Sequence, residues 1–229
     1  MKRFILLNHK KIIFTLAIAL LVLFVTACAT EYNRALNVEQ TQASKKMYIG
    51  PRYNIAVGNF DNRTSFQRGI FSDGEDRLGN QAKSILLTHL SLTNRFTVLD
   101  RDNMEQLSRE AQIRGETQTL IGAAHIVTGD VSEFGRREIT NRAFFGVAGR
   151  GKLQVAYSKV ILNIVDIRTS AVVYTVSGAG EYMLNDQELL GFGTSSSYDS
   201  TLNGKVLDLA IREAVDRLSE AIDSGAWKP

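Results

Sequence analysis

The period of hydrophobic and polar positions changes several times along the chain, and each change predicts an element. Over residues 53–59 the apolar Ile55 and Val57 alternate with Asn54 and small Ala56, as in a half-buried strand. Leu78, Ala82, Ile85, Leu86 and Leu90 then lie near one face and predict a helix over 79–90. Residues 96–99 read as a strand. Asp102, with Glu105 three residues on, has the spacing of a capping box. It opens a helix with an apolar stripe of Met104, Leu107 and Ala111, stopped by Gly115. Another strand is expected at 126–131. Near the C-terminus Leu207, Ile211, Val215, Leu218 and Ile222 predict a helix over 201–224, ended by Gly225.

Residues 136–200 carry no pattern of helical length. They alternate instead. Ile139, Ala143, Phe145 and Val147 are apolar between polar neighbours; so are Leu153, Val155, Tyr157 and Ile161. Val172, Tyr174, Val176, Tyr182 and Leu184 repeat the pattern, and Leu190, Phe192 and Tyr198 follow. This makes four strands in two hairpins, one turning near residues 149–151 and the other near 185–188. Each strand has about ten residues, enough to cross a bilayer when tilted. An antiparallel sheet packed on one side of a soluble domain would show the same alternation. The membrane reading places Leu153, Val155, Tyr157, Val172, Tyr174, Val176 and Phe192 against lipid. Four strands cannot close a barrel alone, so it also requires several chains to share one.

The N-terminus adds an export signal. A basic stretch, residues 1–11, precedes about fourteen apolar residues, too few for a comfortable helical span. The chain's one cysteine, Cys28, ends that run between Ala27 and Ala29. Val25-Thr26-Ala27-Cys28 resembles a bacterial lipobox, so residues 1–27 read as a lipoprotein signal peptide and the Cys28 thiol as the point of lipid attachment. Several acyl chains anchor firmly where one is marginal. Ala29, where aspartate would be the retention signal, points by resemblance to the outer membrane. Residues 28–50 are polar and read as a tether, helical in part, followed by an α/β domain over 51–135, the hairpins over 136–200 and a C-terminal helical segment over 201–229. The expected class is α+β: a periplasmic α/β domain with a mixed sheet, plus two hairpins lent to a multi-chain outer-membrane barrel.

Charge changes one reading. The net charge of +3 hints at nucleic acid, but Lys2, Arg3, Lys10 and Lys11 precede the apolar run. Without them 23 basic residues face 24 acidic ones, and no basic stripe with interleaved aromatics remains, which argues against nucleic-acid binding. His89 and His125 have no second histidine or cysteine at ligand spacing, so no zinc site is expected. Residues 146–151, GVAGRG, lack the strand-to-helix setting and the lysine of a phosphate loop. No enzyme and no cofactor is expected beyond the lipid on Cys28. The stretch 59–76, with Phe60, Phe66 and Phe71, is long for a loop in a compact domain, and such loops are often functional.

The order of these parts resembles the CsgG/HfaB family of curli-secretion channel lipoproteins. The resemblance spans residues 53–227 and rests on NIAVGNFDNRT, RFTVLDRDNMEQLSREAQ, AAHIVTGDVSEF, VILNIVDIRTSAVVYT and the closing SGAW. It implies a ring of about nine protomers, each lending four strands to one barrel, within the known upper limit of about 36 strands. It implies passive export of unfolded curli-like or adhesive subunits, with accessory assembly factors and no nucleotide hydrolysis. It also puts the 59–76 loop at the channel constriction, with Phe71 and Phe66 as the candidate residues there. The curli channel carries a tyrosine and an Asn-Phe pair at that loop; here Arg68 and Asp73 stand among the phenylalanines, which bears on the identity of the exported chain. The alternative is a non-pore envelope lipoprotein that binds and regulates a partner such as a peptidoglycan synthase.

Overall fold

The structure, a computed structural model, describes residues 39–66, 75–141, 151–187 and 200–229, with backbone alone at 138–141, 151–153, 184–187, 200 and 201. In chain order the described elements are α1 (Gln42–Lys45), β1 (Tyr53–Asn62), α2 (Arg77–Leu92), β2 (Phe96–Leu99), α3 (Met104–Ile113), β3 (His125–Asn141), β4 (Gly151–Asp166), β5 (Val172–Gln187) and α4 (Ser200–Asp223). The class is α+β. One mixed sheet runs in the order β2-β1-β3-β4-β5. β1 is parallel to both β2 and β3, whereas β3, β4 and β5 form an antiparallel meander.

Helices α2 and α4 cover one face of this sheet. The core between them holds Ile55, Val57, Val127, Val131, Val160, Leu162 and Ile164 from the strands. Leu86 and Leu90 of α2 and Leu207, Ile211 and Leu218 of α4 oppose them. Close approach of α4 to β5 needs glycine. A Cβ at Gly178 would lie 2.1 Å from the Ala210 carbonyl oxygen and 2.4 Å from the Ala214 nitrogen. The other sheet face carries Lys159, Asn163, Thr175 and Glu181 and is partly exposed.

Several sequence expectations change. β1 continues to Asn62, so the loop begins later than 59. The expected strands at 126–131 and from 139 onward are one strand, β3, bent by a bulge between Val131 and Glu133. A domain boundary at 135/136 therefore falls inside a continuous ladder. The capping box is absent. Asp100 holds the start of α3 instead: its carboxylate accepts from the backbone N–H of Asp102 (3.0 Å) and of Asn103 (3.2 Å) and from Asn103 Nδ2 (2.7 Å). Asp102 pairs with Lys83 at 2.7 Å, and Glu105 with Arg109 at 2.9 Å. The stripe expected to bury α3 does not: no residue of α3 is buried.

Part of the expected tether is docked. Thr41 is fully buried, and the Asp216 carboxylate accepts the N–H groups of Gln42 (3.0 Å) and Ala43 (2.8 Å), which open α1. Glu39 pairs with Arg212 at 2.6 Å. Arg95, 1% exposed, makes a two-pronged pair with Asp223 (2.9 and 2.5 Å) and donates to the carbonyls of Ala43 and Thr93. The Tyr48 ring covers its guanidinium at 4.7 Å. Sequence pattern missed this because most of the docked residues are small or polar and their partner Asp216 on α4 lies more than 170 positions away.

Candidate functional site

The two described ends of the loop after β1 meet at one carboxylate. Asp76 N-caps α2 by accepting from Gly79 N–H (2.8 Å), and its second oxygen accepts from Asn62 N–H (2.6 Å) at the end of β1. One side chain thus ties both ends of the excursion. Asn62 then folds the first residues back: its Oδ1 accepts from the N–H and hydroxyl of Thr64 (2.9 and 2.6 Å), and its Nδ2 donates to the Phe66 carbonyl (2.9 Å). Arg63 reaches across to β3, donating its backbone N–H to Val131 O (3.0 Å) and its Nε to Asp130 (2.8 Å). The hydrogen bond to Asp130, then its charge, raise the basicity of this guanidinium. Gly79 sits under the junction, where a Cβ would be 2.2 Å from the Phe60 carbonyl oxygen.

Of the two constriction candidates, Phe66 is half-buried. Its ring lies 4.7 Å from that of Phe134 and packs against the core. Phe71 lies outside the described residues, as do Cys28 and Phe192; for Leu153 only the backbone is described. The remaining lipid-facing candidates do not share one face. Antiparallel partners project to the same side. Tyr157 pairs with Glu181 and Val155 with Met183, on the face away from the helices. Tyr174 pairs with Ile164 and Val176 with Leu162, on the helix-covered face. Val176 is in the core, and Tyr174 stacks on Trp227 at 6.0 Å. Val155 is buried, and Val172 is 58% exposed at the far end of β5. This corrects the expectation for Tyr174 and Val176: their alternation is that of a sheet packed under α4.

Near the middle of β3–β5 the open face forms a cavity of about 450 Å³ bordered by Glu133, Arg137, Tyr157, Lys159 and Glu181. Two ion pairs cross it, Arg137–Glu181 at 3.1 Å and Lys159–Glu133 at 3.4 Å. The Tyr157 ring lies over Gly135, where any Cβ would meet its hydroxyl at 2.6 Å. Sequence reasoning did not mark this group; alternation alone cannot reveal which charged residues meet across strands. Among the described residues no cluster of His, Cys, Asp and Glu could hold a metal, and no helix is long and apolar enough to cross a membrane.

The three strands are long. β3, β4 and β5 have 17, 16 and 16 residues, against a usual five or six. Contacts from α4 reach Arg136 through Asn203 (2.9 Å) and Tyr182 through Lys205 (5.3 Å). The ladder continues beyond them to the pairs Asn141–Gly151 and Gly151–Gln187.

Comparison with known proteins completes the picture. The family model described as "Curli production assembly/transport component CsgG" matches residues 34–228. A protein of Neisseria meningitidis serogroup B described as "Putative lipoprotein" is 59% identical over 204 residues, covering 89% of this chain and 92% of that protein. Among solved structures, the PelC dodecamer of Paraburkholderia phytofirmans is 18% identical, with a TM-score of 0.33, covering 74% of this chain and 93% of that one. A lipoprotein of Neisseria meningitidis is 14% identical, with a TM-score of 0.31, covering 76% and 98%.

Proposed function

The chain belongs to the CsgG family of curli production assembly and transport components, and from that premise we propose that it is an outer-membrane lipoprotein whose protomers assemble a secretion channel. In this reading Cys28 carries the lipid, and the main domain lies in the periplasm. The ends of β3, β4 and β5 beyond α4, together with the stretch around Phe192, enter a shared barrel. Unfolded extracellular subunits pass through by diffusion, without nucleotide hydrolysis. The observation that carries the reading is the continuation of the β3–β4–β5 ladder past the helical layer. A soluble sheet gains nothing from strands that outrun the helices burying their apolar face, whereas a barrel wall requires it.

The lipoprotein part draws support from the 59% identical relative described as one. The charged cavity on the open face favours a second reading, a non-pore lipoprotein that docks an envelope partner such as a peptidoglycan synthase there. Protein extracted from membranes with detergent separates the two. Electron microscopy should show rings with a central hole, and the same sample should give discrete conductance steps in planar bilayers. Monomers without conductance would overturn the channel. Mass spectrometry of the mature N-terminus should find the Cys28 thiol acylated, and a free thiol there would remove the anchor.

A further inference from the structure

We propose that the α3 side of the domain in one copy of this chain docks on the start of β5 in the next, joining neighbours below the shared barrel as well as through it. This rests on the channel reading and names the surfaces by which its copies meet. Among the described residues the exposed large apolar side chains fall in few places. Met47 and Ile49 stand on either side of Tyr48, and Tyr182 and Met183 lie toward the hairpin end of β5. The others lie on two flanks. One is α3 and its surroundings, with Leu92, Leu107, Ile113, Leu120 and Ile121. Arg101 gathers this group by donating to Ile121 O (2.6 Å). The other is the β4–β5 turn, with Ile167, Val172 and Val173. α3 leaves from β2, one edge of the sheet, and β5 is the other edge.

Each flank is short of cover. α3 has ten residues, none of them buried, and a helix of that length is marginal in water by itself. Asp100 and the Lys83–Asp102 pair hold only its start. On the opposite edge, Val172 pairs with Val165 and Tyr174 with Ile164, which leaves Val173 as an extra residue in β5. A bulge of this kind turns an edge away from strand pairing. What meets these two exposed valines therefore packs through side chains, as a helix does.

The sheet order says what covers them. β1 pairs with β3 only as far as Asn62–Val131. From Glu133 to Asn141 β3 pairs with β4 alone among the described residues. A shared barrel must take in the next copy on that vacant side of β3, above β1 and β2. Copies in a closed ring are related by rotation, and each contact joins two different surfaces head to tail. The copy that arrives beside β3 therefore comes with the β5 side of its own sheet foremost. Its β4–β5 turn is carried toward β2 and α3 of the first copy. The exposed apolar residues thus lie on the two sides that ring closure brings together.

The test uses full-length protein extracted in detergent, whose one native cysteine, Cys28, is the proposed lipid site. The two edge strands of one copy are four strand spacings apart, about 19 Å, so a bismaleimide with a shorter spacer joins copies rather than the edges of one. With it, the double variant Leu107→Cys, Val173→Cys should give a ladder of covalent multimers on denaturing gels. Either single variant should stay monomeric there. In the assembled fraction, maleimide should react with Leu107→Cys and with Val173→Cys at least tenfold more slowly than with Met47→Cys, which is exposed but lies on neither flank. Flank cysteines as reactive as Met47→Cys overturn the proposal and leave these residues to another partner. Absence of the ladder overturns it too, and so do dimers from a single variant, which mean that like flank meets like. Wild-type protein that shows no rings in the electron microscope fails the channel reading itself, a separate outcome.

Discussion

At the scale of single residues, the closest constraint is steric. Gly178 on β5 faces the backbone of α4 with no room for a methyl group. Gly178→Ala must push the helix from the sheet, and overpacking of this kind costs about 1–3 kcal/mol. Urea unfolding should show a lower midpoint with an unchanged slope. The same change at Gly122, where nothing lies within 4 Å, should be silent. Phe66 and Phe71 separate in a similar way. Phe66 packs on Phe134 and the core, so Phe66→Ala should reduce folded yield, toward the low end of the ~3–5 kcal/mol of a core Phe→Ala. Phe71→Ala, if that ring faces the passing chain, should leave folding and ring assembly intact and raise single-channel conductance. Normal rings that conduct like the wild type would take Phe71 out of the constriction.

At the scale of elements, α3 is the informative case. Its start is held by Asp100, whose carboxyl is kept below the usual carboxylate range, first by the hydrogen bond from Asn103 Nδ2 and then by the N–H groups of Asn103 and Asp102. A carboxylate with a depressed folded-state pKa contributes stability above its unfolded value, about 3.9 for aspartate, and loses it as pH falls through the folded value. Asp100→Ala should therefore lower the thermal midpoint at neutral pH more than Asp102→Ala, the residue a capping box would have required. Asn103→Ala should flatten part of the acid-side decline below about pH 4. The long helices and β4 were legible, because Leu207, Ile211, Val215 and Leu218 repeat at helical spacing and β4 alternates, whereas β3 read as two strands and α1 went unmarked. The face each strand turns to its neighbours was not. The alternation of Val172, Tyr174 and Val176 is the same whether lipid or α4 covers it, and only the register with Ile164 and Leu162 decides. The Asp76 hub escaped for a related reason: it joins Asn62 to Gly79 across a loop, and no local period records such a contact.

At the scale of the whole molecule, two layers made by distant parts of the chain meet on α4. The meander β3–β4–β5 and α4 are consecutive in sequence, whereas β1 is inserted between β2 and β3. Local contacts form sooner than distant ones, since closing a longer loop costs more entropy. The meander and α4 can therefore pair early, while the docked segment 39–48, with 174 positions between Gln42 and its carboxylate on Asp216, closes late. This fixes an order of events during synthesis and export. Residues 39–48 lie near the start of the proposed mature chain and cross a membrane early, and the surface they need, on α4, is the last long element to follow. Until α4 arrives, residues 39–48 have no seat on the domain; once it arrives, the Asp216 carboxylate takes up the N–H groups of Gln42 and Ala43. The docked segment 39–48 thus works as a completion mark, a state that a copy lacking α4 cannot display.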